Sequence, residues 1–184
     1  NLQGYCYFNG IGTNVDMQKS FELYQKVSDL GNIQGIFNLG NCFKHGIGTE
    51  INKHKAFELY KKAANLGKYL IGINLLGYCY LKGIGTDIDI QKSFLLFQKT
   101  ADLGNLFGLN HLGFCYDTGS GTDVNKQKSF EFYQKAANLG SELAQYNLAL
   151  MYENGNGVEK DIDQAIYWYK KSAEQKFKYA QNKL

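Results

Sequence analysis

The sequence predicts an all-α fold, a right-handed α-solenoid of stacked helix-turn-helix repeats (an α/α superhelix). Three observations predict it. A Gly-x-Gly pair recurs five times, at Gly10/Gly12, Gly46/Gly48, Gly83/Gly85, Gly119/Gly121 and Gly155/Gly157, with first glycines 36, 37, 36 and 36 residues apart. The apolar residues between the pairs keep helical spacing. Proline is absent while glycine numbers 21, so glycine alone punctuates the chain.

Each unit opens with a helix, here helix A, that carries two small residues flanking a leucine. Gly35-Leu39-Gly40, Gly72-Leu76-Gly77, Gly108-Leu112-Gly113 and Ala144-Leu148-Ala149 are the examples. The small residues let a neighbouring helix approach closely. The Gly-x-Gly pair then turns the chain. Asp16, Asn52, Asp89, Asn125 and Asp161 follow as N-caps, whose side chains satisfy amides of the first turn. Helix B comes next, with a small residue, an apolar one and an aromatic in register: Ser20-Phe21-Tyr24, Ala56-Phe57-Tyr60, Ser93-Phe94-Phe97, Ser129-Phe130-Tyr133 and Ala165-Ile166-Tyr169. It ends at Gly31, Gly67, Gly104 and Gly140, predicted to take the left-handed conformation. The fifth unit has Lys176 there, which predicts a different exit.

One helix pair cannot bury its own apolar face, whereas stacked neighbours can. The expected repeats are 1–31 (truncated at its start), 32–67, 68–104, 105–140 and 141–176, with 177–184 as the start of a sixth. The one-residue insertion falls between Gly67 and Gly72, in a connection that tolerates it. Asn1 aligns with the middle of a helix A. The chain thus reads as a segment of a larger protein whose uncovered ends favour end-to-end self-association of the fragment.

Ala144-Gln145-Tyr146-Asn147-Leu148-Ala149, Met151-Tyr152, Gly155-x-Gly157-Val158, Asp161, Ala165, Trp168-Tyr169 and Lys171-Ser172-Ala173 resemble the Sel-one-like repeat family, a relative of the tetratricopeptide repeat. The first four units depart from its pattern with Ile or Ser after the first glycine of the pair, Thr after the second, and Cys at an apolar position. The resemblance covers essentially the whole chain. It implies adaptor or scaffold work in signalling or quality-control assemblies, in some members beside a kinase domain. By analogy with tetratricopeptide arrays, helices A line the concave side and helices B the convex side.

Composition narrows the partners. The net charge is +3 and every basic residue other than histidine is Lys, so the bidentate arginine contacts typical of nucleic-acid readers are unavailable to it. No apolar run approaches the ~20 residues that span a bilayer, and no signal peptide is visible. Cys6, Cys42, Cys79 and Cys115 share one repeat position. Stacked repeats hold equivalent residues ~8–10 Å or more apart, beyond the ~7 Å Cα limit of a disulfide. They are expected to be reduced, buried and metal-free, unlike the paired cysteines of the family's penicillin-binding branch, and they favour a cytoplasmic location. His45, His54 and His111 form neither a metal signature nor a nucleophile–base pair. The glycine pairs follow helices, not strands, so they are not nucleotide loops. No catalytic residue and no cofactor is expected.

Two lysine rows run along helix B, Lys19-Lys55-Lys92-Lys128 and Lys26-Lys62-Lys99-Lys135-Lys171. An anionic partner or a solvated convex face explains either, and the second row also suits the negative end of the helix dipole. Helix A carries the stronger candidates. Phe37, Asn74, Asn110 and Tyr146 form one row; Asn41, Tyr78 and Phe114 form the core of a second. Aromatic anchors and backbone-binding amides suit a peptide or protein segment on the concave face. The leading reading is therefore a protein- or peptide-binding scaffold, ahead of an intramolecular arm that regulates an attached catalytic domain. An enzyme in its own right ranks below both.

Overall fold

The computed structural model describes residues 1–66 and 70–184, and these contain helices and turns without strands. The chain divides into two compact units, Asn1–Asp89 and Ile90–Leu184. The first contains α1 (Leu2–Asn9), α2 (Met17–Asp29), α3 (Ile33–His45), α4 (Lys53–Asn65) and α5 (Leu70–Lys82). The second contains α6 (Ile90–Asp102), α7 (Leu106–Thr118), α8 (Lys126–Asn138), α9 (Glu142–Asn154), α10 (Ile162–Glu174) and the short α11 (Lys178–Gln181). Within each unit every helix packs on the next in sequence. The odd-numbered helices are the A helices and the even-numbered ones the B helices.

The helix boundaries follow the predicted chemistry. Asp16, Asn52, Asn125 and Asp161 each accept the amide of the residue three positions on, at 2.9 Å. The A helices have caps of their own: Asn32 accepts from Gly35 N, Asn105 from Phe107 N and Gly108 N, and Ser141 from Ala144 N. Helix B ends in a Schellman motif. Gly31 N donates to Ser28 O and Asn32 N to Val27 O, with Gly31 at φ 74°. Gly104 and Gly140 repeat this pattern; Gly67 lies outside the described residues.

The exit of the fifth unit corrects the expectation from sequence. Lys176 takes φ 66°, donates to Ala173 O, and is followed by Phe177 N donating to Ser172 O. The backbone is the same Schellman turn as after the glycines. The hydrogen bonds that close the turn outweigh the cost of holding a residue with a Cβ in the left-handed region, ~1–2 kcal/mol.

The two small residues of helix A face different neighbours. A Cβ at Gly35 would meet Val27 and Ser28 of the preceding B helix, and one at Gly108 would meet Thr100 and Ala101. A Cβ at Gly40 would come within 2.7 Å of the Tyr60 ring, and one at Gly113 within 2.6 Å of Tyr133. The first glycine thus sets the spacing between repeats and the second the spacing within one. Phenylalanines of helix B add a ladder of edge-on ring contacts with the next A helix. Phe21–Phe43 and Phe57–Tyr80 lie in the first unit, Phe94–Tyr116 and Phe130–Tyr152 in the second, with centroids 5.3–5.9 Å apart.

The second glycine of each pair has a role beyond turning the chain. A Cβ at Gly48 would overlap the carbonyl of Met17, and one at Gly157 that of Lys126. The turn therefore rests on the first-turn backbone of the preceding B helix. At Gly12 nothing lies within 4 Å, because no helix of this chain covers that face.

Cys42, Cys79 and Cys115 are buried and unbridged. Cys6 differs from the expected burial: it is half-exposed, on the same uncovered face as Gly12.

Candidate functional site

The A helices of each unit present the candidate residues. In the first unit, Phe37 and Asn41 on α3 are half-buried. The Phe37 ring sits 6.2 Å from Tyr60, whose hydroxyl donates to Asn41 Oδ1 at 2.7 Å. Burial pushes the Tyr60 phenol well above its ordinary value, so the hydroxyl remains a donor. On α5, Tyr78 is half-buried with Lys44 Nζ 5.9 Å from its ring centroid. In the second unit, Phe114 on α7 and Tyr146 on α9 are half-buried. Tyr146 belongs to an aromatic group with Tyr169, Phe177 and Tyr179, at centroid distances of 5.6, 5.4 and 6.2 Å.

The two central amides sit deeper than a surface row would. Asn74 is 4% exposed and its Nδ2 donates to Leu70 O within the same helix. Asn110 is 6% exposed, and its Oδ1 has no hydrogen-bond partner among the described residues. Both hold the repeat position of Phe37 and Tyr146, whose larger rings reach the surface where the shorter amides are covered. The half-buried surface is supplied instead by Phe37, Asn41, Tyr78, Phe114 and Tyr146.

Carboxylates occupy the later turns of the A helices in the second unit. Asp117 accepts from Lys126 Nζ at 2.7 Å. Glu153 accepts from the Tyr169 hydroxyl at 2.5 Å and from Lys183 Nζ at 2.9 Å. These two bonds hold the Glu153 carboxyl below its ordinary value. His111 stacks on Phe97 with centroids 4.2 Å apart, and its Nδ1 contacts the Phe107 carbonyl at 2.7 Å. Burial lowers its basicity against the opposing pull of that carbonyl, which favours the neutral ring.

Among the described residues, no group of three or more His, Cys, Asp or Glu side chains is arranged to hold a metal ion. No described helix is long and apolar enough to cross a membrane. The first lysine row has a packing explanation: Lys19, Lys55 and Lys128 lie over the rings of Tyr7, Phe43 and Tyr116 of their own repeats, 4.8–5.1 Å from the centroids.

The residues behind these rings, caps and glycine joints match the Sel1 repeat five times, at 4–32, 33–68, 71–105, 107–141 and 143–177. The chain belongs to the Sel1 repeat family. Members of this family are generally protein-interaction scaffolds without catalytic activity. A Sel1 repeat protein from Oxalobacter formigenes is 28% identical, with a TM-score of 0.90 over 100% of this chain and 74% of that one. A protective antigen of uropathogenic Escherichia coli strains, displaying an SLR fold, is 33% identical with a TM-score of 0.81. That match covers 98% of this chain, which spans only 38% of the antigen. Cysteine-rich protein B of Helicobacter pylori is 28% identical, with a TM-score of 0.52 over 71% of this chain and 92% of that protein. No curated protein matches the chain significantly.

Beside these Sel1 repeats, three features escaped the sequence reading. The A-helix caps Asn32, Asn105 and Ser141 were legible as a Gly-Asn or Gly-Ser step after three of the five B helices. The joint between Gly48 and Met17 was not, since a glycine that turns a chain and one that admits a carbonyl look alike. The third feature, a cleft above the B-helix tyrosines, needs side chains from three helices at once.

Proposed function

We propose that this chain is a non-catalytic scaffold segment that binds a protein or peptide along its A-helix face. The supporting observation is that Phe37, Asn41, Tyr78, Phe114 and Tyr146 keep part of their surface accessible while the leucines and glycines beside them are buried. Aromatic rings held by packing supply apolar anchors at low entropic cost, and Asn41 can hydrogen-bond an extended backbone. Asn74 and Asn110 lie beneath this surface and help shape it. Three buried thiols in the reduced state suit a cytoplasmic setting. A chain without arginine is a poor reader of nucleic acid.

A selection of random linear peptides displayed on phage against the 184-residue chain tests the reading. Binders are then measured on the wild type, on Tyr78→Ala with Phe114→Ala, and on Lys62→Glu with Lys99→Glu. The first pair should weaken binding by about 1–2 kcal/mol or more per anchor, with the second near wild type. Loss of binding only in the lysine variant would place the site on the B helices.

A further inference from the structure

A cleft of about 190 Å³ opens between α7 and α9 in the second unit, above α8, lined by Asp117, Tyr133, Asn147, Leu150, Met151, Asn154 and Asn156. Its chemistry is polar around an apolar floor. Tyr133 is 4% exposed, with its ring seated on Gly113. The equivalent tyrosines bond within the protein, Tyr60 to Asn41 and Tyr169 to Glu153. The Tyr133 hydroxyl has no hydrogen-bond partner among the described residues. Two differences explain this. Phe114 stands where Asn41 stands in the second repeat, and Asp117 is shorter than Glu153 and engaged with Lys126.

The same cleft occurs in the first unit, between α1 and α3 above α2, at about 510 Å³. Phe8, Tyr24, Asn38, Cys42 and Ile47 stand there at the repeat positions of Asp117, Tyr133, Asn147, Met151 and Asn156. One architectural position thus carries an apolar lining in one unit and a polar one in the other.

We propose that the second-unit cleft is a subsite for a basic side chain, the guanidinium of Arg or the ammonium of Lys, of a protein segment bound on the A-helix face. This rests on the reading of that face as the binding surface. The lining favours a group that only donates. Lys126 Nζ bonds Oδ1 and the main-chain carbonyl of Asp117, which leaves Oδ2 open among the described residues. Asn154 spends its Nδ2 on Leu150 O, which leaves its Oδ1 as an acceptor. The Tyr133 hydroxyl is a third acceptor, and the Asn147 and Asn156 amides can turn their oxygens inward. Leu150 and Met151 cover the methylene stem of a long cationic side chain. Lys126 offsets the Asp117 charge from outside the lining, and the lining itself holds acceptors and no cationic side chain, so it can accept from a basic group and has no ammonium to receive an acidic one.

The peptides selected above test this directly. They should share one Arg or Lys position. Asp117→Asn should weaken those peptides about tenfold, and replacing the shared residue by Gln should do the same. Tyr133→Phe should weaken them about threefold. That variant folds, because Phe97 holds the same position in the third repeat, and circular dichroism checks it. Binding should also weaken with rising salt. Peptides with no shared basic residue, or with one whose affinity ignores Asp117→Asn, overturn the subsite while leaving the A-helix reading intact if Tyr78→Ala with Phe114→Ala still weakens binding. Binders indifferent to that pair, or no binders at all, overturn both.

Discussion

Lys176 shows how much one side chain can be forced to accept. It is the described non-glycine residue with a positive φ, in the turn that Gly31, Gly104 and Gly140 occupy elsewhere. Lys176→Gly should therefore raise stability by about 1 kcal/mol in denaturant titration; an unchanged midpoint would mean the left-handed turn carries no strain. The thiols make a second case. Burial pushes Cys42 and Cys79 up to about 11 and Cys115 up to about 12 from the ordinary 9.0. Their folded-state values are raised, so the native state binds more protons than the unfolded chain between those limits. The stability they contribute is fully present below pH 9 and is lost as pH rises toward 11–12. A thiol reagent at neutral pH should modify Cys6 first and the other three only as fast as the protein opens. Equal rates for all four would refute their burial.

Helices and turns were the most legible scale of this protein. Glycine pairs, Asp or Asn caps and the Leu-Gly step each have a local cause that one strand of sequence can display. Lys176 was misjudged because its turn is closed by two backbone hydrogen bonds that no residue identity announces. Asn74 and Asn110 share the repeat position of the half-buried Phe37 and Tyr146, and repeat position alone does not tell how far the neighbouring helices cover a shorter side chain. The Asp117–Tyr133–Asn147 cleft draws on three helices, so no single periodicity contains it. Glycines that look equivalent should separate on mutation. Gly12→Ala meets open space and should cost about 1 kcal/mol through its φ alone. Gly48→Ala must also displace the Met17 carbonyl and should cost about 2–4 kcal/mol. Thermal unfolding of the two variants compares them; equal losses would remove the second glycine from the joint between repeats.

For the molecule as a whole, the uncovered face around α1 matters most. Leu2, Cys6, Tyr7, Ile11 and Leu23 border a hollow of about 340 Å³ where the later repeats receive a preceding B helix. Leu2 and Ile11 are exposed there. This 184-residue chain should associate end to end as its concentration approaches millimolar, and Ile11→Asp should suppress it. Sedimentation that stays strictly monomeric across that range would show the face to be inert.

The glycine joint is encoded within the repeat itself. Each repeat brings both halves of it: a turn with room for a foreign carbonyl, and a first helical turn that offers one. The phenylalanine and its edge-on partner travel in the same way. A genetic slip that inserts or removes one 36-residue period therefore delivers a ready-made joint on either side of the change. The array can lengthen or shorten by whole units with no compensating mutation, while a gain or loss of a few residues inside a helix misaligns every joint it touches. Inheritance, on this view, edits the protein in multiples of its own period.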